Sequence, residues 1–262
     1  MNAVAAGSRI GGVPEPAPPC FTPKGLQFFR QLERNNDRDW FAARKGVYEA
    51  EVKGPMLAVV AAINEELRSF AARLVTEPKR ALYRIYRDTR FAKDKTPYKD
   101  HQGAMFFDAR LSKNAAAGFY VGVSHKELDV AGGMYMPGPD ELAAVRAAIA
   151  NKPKEIEKIT SDKSLAKLAG PLRGAKLARL PKGFEEAVDP TSPAAELVRM
   201  KQWYCHVQLP AEAATRPTLV KDVVGRFKAM VPLVAYLNDV VLAARAQDEE
   251  DDGRPTRPEP MF

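Results

Sequence analysis

The spacing of apolar residues changes character at residue 82 of this chain, and that change limits the folds open to it. Before it, apolar side chains recur at helical intervals: Leu26, Phe29 and Leu32, then Trp40-Phe41, Val47-Tyr48 and Val52, then Met56, Val59, Val60, Ile63, Leu67 and Phe70. Thr22-Pro23 supplies a hydroxyl cap followed by proline at the first helical position. Asp37 or Asp39 opens a second helix, which Gly54-Pro55 is expected to break or kink. From Leu82 the pattern alternates and favours β-formers. Leu82–Arg87, Ala104–Phe107, Phe119–Ser124 and Asp129–Met136 read as four strands of an antiparallel meander, with turn-like residues between them. Helical spacing returns after Pro139. A short strand is expected at Lys176–Leu180 and another at Trp203–Leu209, and Arg216-Pro217 opens a last helix kinked at Pro232. Helices, then strands, then helices describe an α+β fold: one domain with a mostly antiparallel sheet flanked by helices.

The ends differ from this body. Residues 1–20, with four prolines and three glycines, read as a flexible leader, without the continuous apolar segment of a secretory signal. Residues 246–262 hold a DEEDD run and three prolines and read as an acidic disordered tail. The domain is therefore expected at 21–245. The chain carries a net charge of +7, and because the tail is acidic the body is more basic than that figure. A basic body favours anionic partners. No apolar run approaches the ~20 residues of a membrane helix, so no membrane partner is expected. Cys20 and Cys205 lie far apart and outside any C-x-x-C pair, which fits a reducing compartment and an expected cytoplasmic location.

Chemistry-bearing residues concentrate between Arg84 and Lys99. Arg84, Arg87, Arg90, Lys93, Lys95 and Lys99 stand there with Asp88, Asp94, Tyr86 and Tyr98, and Asp100 and His101 follow. Arginine forks and lysines together suit phosphate or carboxylate. On this reading Arg84, Arg87, Arg90, Lys95, Tyr98 and Lys99 bind an anion, while Asp88 and Asp94 orient the arginines or act as a base. The competing reading is a salt-bridge network that ties a loop to a sheet.

The spacing Arg84, Arg87-Asp88, Arg90-Phe91, Asp94-Lys95, Tyr98 resembles the defining motif of domain-of-unknown-function family 2461. Asn35-Asn36 with Trp40-Phe41, Gly132-Gly133 before Tyr135 and Pro137, and Pro181-Lys182-Gly183-Phe184 extend the resemblance over roughly residues 20 to 245. The resemblance implies one domain organised around the charged segment. It brings no activity, substrate or cofactor.

Other features point away from common chemistries. His101, His125 and His206 show no metal-ligand spacing, and no metal is expected. There is no phosphate-binding glycine loop and no G-x-S-x-G elbow. Gly132-Gly133 is read as a turn or bulge ahead of close approach to a ligand. Residues 152–182 hold nine Lys or Arg against three acids but no interleaved aromatics, which disfavours base stacking. Three functional readings follow: a binder of a phosphate- or carboxylate-bearing small molecule, with or without catalysis; a non-catalytic nucleic-acid binder using the basic surface; and an interaction module whose charged segment is structural. The cofactor is unknown.

Overall fold

The computed structural model describes residues 17–113 and 115–251. The predicted leader therefore lies, to residue 16, outside the described residues, as does the tail beyond 251.

The chain opens with α1 (Pro23–Arg34), whose Thr22 cap accepts from Gly25 N at 3.2 Å. Asp37 caps α2 (Arg38–Ala43) through Trp40 N at 2.8 Å. The break expected at Gly54-Pro55 does not occur. α3 (Lys45–Tyr48) runs through a π-helical turn, Glu49–Lys53, directly into α4 (Gly54–Phe70). Pro55, which has no N–H to donate, follows that π-helical turn directly, so its effect is a widened turn and not a break. The short α5 (Pro78–Ala81) leads to the sheet.

Strands β1 (His101–Phe107), β2 (Gly118–Ser124) and β3 (Glu127–Met134) form an antiparallel meander. The connection to the fourth strand carries α6 (Pro139–Asn151), α7 (Pro153–Thr160), α8 (Lys163–Ala169) and α9 (Pro193–Val198). β4 (Trp203–Pro210) then pairs antiparallel with β3. The fold is α+β with an antiparallel sheet in the order β1-β2-β3-β4.

Two expected strands are corrected. Leu82–Arg87 touches the sheet only through the isolated bridges Leu82↔Ala104 and Tyr86↔Tyr98. The cause is local: Pro97 lacks a donor, and the Gln102 side chain reaches across to donate to Tyr83 O at 2.7 Å. Lys176–Leu180 likewise contributes one bridge, Lys176↔Met200.

The last helix, α10 (Leu219–Asp251), is continuous through Pro232 and takes in residues 246–251, which the acidic tail was expected to include. By length and composition alone, its segment Leu219–Asp248 could cross a bilayer, with one 18-residue window at a mean hydropathy of 1.5, although charged residues interrupt every long apolar run in it. Its apolar residues serve the core: Val223, Phe227, Met230, Val234 and Leu237 are all buried. Phe227 stacks on Phe119 at 4.5 Å between centroids and meets Phe106 edge-on at 5.8 Å. A β-carbon at Gly132 would lie 2.5 Å from the sulfur of Met230, so that glycine sets how closely α10 approaches the sheet. Buried Asn238 ties α10 to the start of β2, accepting from Ala117 N at 2.8 Å and donating to Ala117 O at 3.0 Å.

Phe227→Ala should lower unfolding free energy by ~3–5 kcal/mol, the range for removing a packed aromatic ring. Urea denaturation of the purified chain measures it.

Candidate functional site in the open face of the sheet

Residues 82–87 run back antiparallel to residues 97–104. Tyr83 N donates to Gly103 O at 2.9 Å, Arg87 N to Pro97 O at 2.9 Å, and Lys99 N to Ile85 O at 2.8 Å. Tyr98 anchors this ribbon. Its ring is buried and lies parallel to Phe41 with centroids 4.1 Å apart. The amide of Asn36 holds both its backbone groups, accepting from Tyr98 N at 3.0 Å and donating to Tyr98 O at 2.9 Å. Tyr98 thus has a packing role in the ribbon, with Asn36 and Phe41 as its partners.

The ribbon's tip is closed by ion pairs. Arg90 forks onto Asp88, with Nε 3.0 Å from Oδ1 and Nη2 2.8 Å from Oδ2. Arg87 Nη1 donates to Asp94 Oδ2 and to Thr96 Oγ1. Lys95 Nζ donates to Thr89 O at 2.9 Å. The bonds from Arg90 hold the Asp88 carboxyl down at about 2, and those from Arg87 do the same for Asp94. Such carboxylates are weak bases at neutral pH. Of the two roles expected of them, orienting arginine is the one their geometry displays. Arg84 is exposed and lines a second groove with Phe41, Lys45, Tyr48 and Tyr86.

Lys99 behaves differently. Strand alternation turns its side chain to the face opposite Tyr98, where it lines a cavity of about 590 Å³. The cavity lies on the sheet face turned away from α10. His101 and Met105 of β1, Tyr120 of β2, Asp129 and Ala131 of β3, and Tyr204 and His206 of β4 face into it at alternate positions. Tyr83 and Lys113 complete the β1 side.

Two ammonium groups share the ring of Tyr83: Lys113 Nζ lies 3.8 Å from its centroid and Lys99 Nζ lies 5.4 Å from it. Lys113 is held there by donating to Arg80 O at 3.1 Å and Ala81 O at 3.0 Å. Among the described residues neither lysine pairs with a carboxylate. Burial, then the charge of Lys99, pushes Lys113 from its ordinary 10.5 down to about 8. Burial, then the charge of Arg84, lowers Lys99 as well. At the β4 side Asp129 Oδ1 lies 2.7 Å from Nε2 of His206. This pair fixes the orientation of the imidazole. Cys205, on the other face of β4, is buried and raised to about 11 by burial, which makes it an unreactive thiol. Among the described residues no group of three or more His, Cys, Asp or Glu is placed to hold a metal ion.

Sequence reasoning reached Lys99 and missed Lys113, Tyr83, Tyr120, Asp129 and His206 as a group. The available signal was parity: Gly103, Gly118, Gly122, Ala131 and Gly133 fall on the face that carries Tyr120, Asp129 and His206. That face is too bare of bulk to pack a helix. The turn or bulge expected at Gly132-Gly133 does not occur, since both residues pair in unbroken register with β2 and β4; Gly133 is required by its φ of +131° and by the β4 backbone, a β-carbon there falling 2.2 Å from Trp203 O.

A search of curated proteins finds no match to the chain. A family model described as conserved hypothetical protein matches residues 24–236, which spans every element that builds the cavity. The chain therefore belongs to domain-of-unknown-function family 2461.

Proposed function

We propose that the protein binds a small molecule bearing phosphate or carboxylate in the cavity on the open sheet face, with Lys113 and Lys99 as its charge partners. The observation that carries this reading is the pair of lysines on one tyrosine ring, neither of them paired with a carboxylate among the described residues. The charge of Lys99 acts against that of Lys113, and both groups are partly out of water; each effect raises the free energy of the empty protein, and an anion bound beside them relieves both. The anion reading of residues 84–99 thereby narrows to Lys99, with Arg84 adding to the local positive field. Arg87, Arg90 and Lys95 already have partners that close the loop. A nucleic-acid binder would need a continuous basic face, whereas these two ammonium groups line a recess suited to one small ligand.

Phosphate or sulfate, compared at constant ionic strength, should raise the melting temperature of the wild type by several degrees. A hundredfold excess over Kd is worth about 2.7 kcal/mol. Lys113→Met and Lys99→Met should each remove most of the shift, and Arg90→Ala should leave it intact. A shift lost in Arg90→Ala and kept in both lysine variants overturns the assignment.

Lys113 also sets a pH signature. Its folded value of about 8 lies below the ordinary 10.5 of the unfolded chain. Below the lower value both states carry the charge. Between the two values the unfolded chain retains a proton that the folded chain has released, so this lysine makes stability rise with pH across that window and stay level above it. Denaturation midpoints measured from pH 7 to 10.5 should rise less in Lys113→Met than in wild type.

A further inference from the structure

We infer that the ligand is an aromatic anion, seated with its charged group at Lys99 and Lys113 and its ring on Tyr120. This rests on the anion-binding reading above and adds the body of the ligand to its charge. Size is the first ground. A cavity of about 590 Å³ falls in the range of pockets that enclose organic ligands of moderate size, and a lone phosphate would fill only part of it.

The second ground is the shape of the floor. Gly103 and Gly122 pair across β1 and β2, and the Tyr120 ring lies over both. A β-carbon at Gly103 would come 2.6 Å from the Tyr120 hydroxyl, and one at Gly122 would come 2.5 Å from it. Only glycine at both positions lets the ring lie down along the sheet, and a ring in that posture presents a flat π-surface. Tyr83 stands beside it with centroids 6.2 Å apart.

The third ground is the rim. Tyr135 and Met136 are 59% and 72% exposed, and both line the cavity. Tyr135 meets Tyr204 edge-on at 5.1 Å and 81°. Aromatic and thioether groups left in water at the mouth of a cationic recess suit a ligand whose own ring covers them.

Polarity separates along the cavity as well. The ammonium groups stand beside β1 and the Asp129–His206 pair joins β3 to β4, three strand spacings or roughly 14 Å across the sheet. A ligand with its anion at one end therefore lays its ring over Tyr120 and points its far edge at His206.

The test is calorimetric binding of inorganic phosphate, cyclohexyl phosphate and phenyl phosphate at pH 7 and constant ionic strength. Phenyl phosphate should bind about tenfold more tightly than inorganic phosphate, as an added aromatic contact implies, with cyclohexyl phosphate well short of it. Tyr135→Ala, at an exposed position that leaves the core intact, should shrink the preference without weakening inorganic phosphate. Tyr120→Leu should do the same more strongly, and Lys113→Met should weaken all three ligands. If phenyl and inorganic phosphate bind equally, or cyclohexyl phosphate matches phenyl phosphate, the aromatic ligand is wrong while anion binding stands. A preference that survives both tyrosine variants also overturns it. If none of the three binds, both readings fail.

Discussion

The packing of Phe227 against Phe119 and Phe106 is the contact on which the rest of this molecule depends. It binds α10 to one face of the sheet, and the chain between β3 and β4 carries helices α6 to α9, of which α6, α7 and α8 pack on α10 and α8 also meets β4. An antiparallel sheet with one face buried can leave its other face to solvent. Here the uncovered face combines glycines with tyrosine, lysine, histidine and aspartate, so the surface left over by core formation becomes a recess with chemistry in it. The small residues serve both sides. Gly132 lets Met230 approach from the core, while Gly103 and Gly122 let Tyr120 lie flat above.

The motif that marks the family acts mainly as a positioning device in this geometry. Asn36 grips the backbone of Tyr98 and Phe41 stacks on its ring, which pins that residue toward the helices. The next residue in an extended chain must point the other way. Pinning Tyr98 thus delivers Lys99 to the cavity. The ion pairs Arg87–Asp94 and Arg90–Asp88 hold the tip of the same ribbon in one arrangement. Exposed pairs of this kind contribute little to overall stability, and their effect is better described as fixing a loop than as holding a fold. They leave Phe91 projecting at 95% exposure.

Much of the architecture was legible because apolar periodicity reports burial directly. Strands β1 to β4 follow from it, while the starts of α1 and α2 follow from the capping residues Thr22 and Asp37. Leu82–Arg87 misled because its alternation is real while its ladder is interrupted by Pro97 and by the buried amide of Gln102, effects that depend on the partner strand. Gly54-Pro55 misled because one π-helical turn, Glu49–Lys53, accommodates the missing donor of Pro55 within a continuous helix. The candidate site was harder to read. Charge density drew attention to residues 84–99, yet four of those eight charges, Arg87 with Asp94 and Arg90 with Asp88, neutralise one another within the loop. The cavity instead gathers Tyr83, Lys113, Tyr120, Asp129 and His206 from separate parts of the chain, and only sheet register brings them together.

The central claim is that Lys99 and Lys113, beside Tyr83, are where an anion is held. Crystals grown with selenate address it most directly, because the anomalous signal of selenium locates the anion without reference to any assumed ligand. The account predicts a peak inside the cavity, within hydrogen-bond distance of Lys113 Nζ and near Lys99. Selenate bound instead at Arg84, Arg87 or Arg90, with the cavity empty, would contradict it.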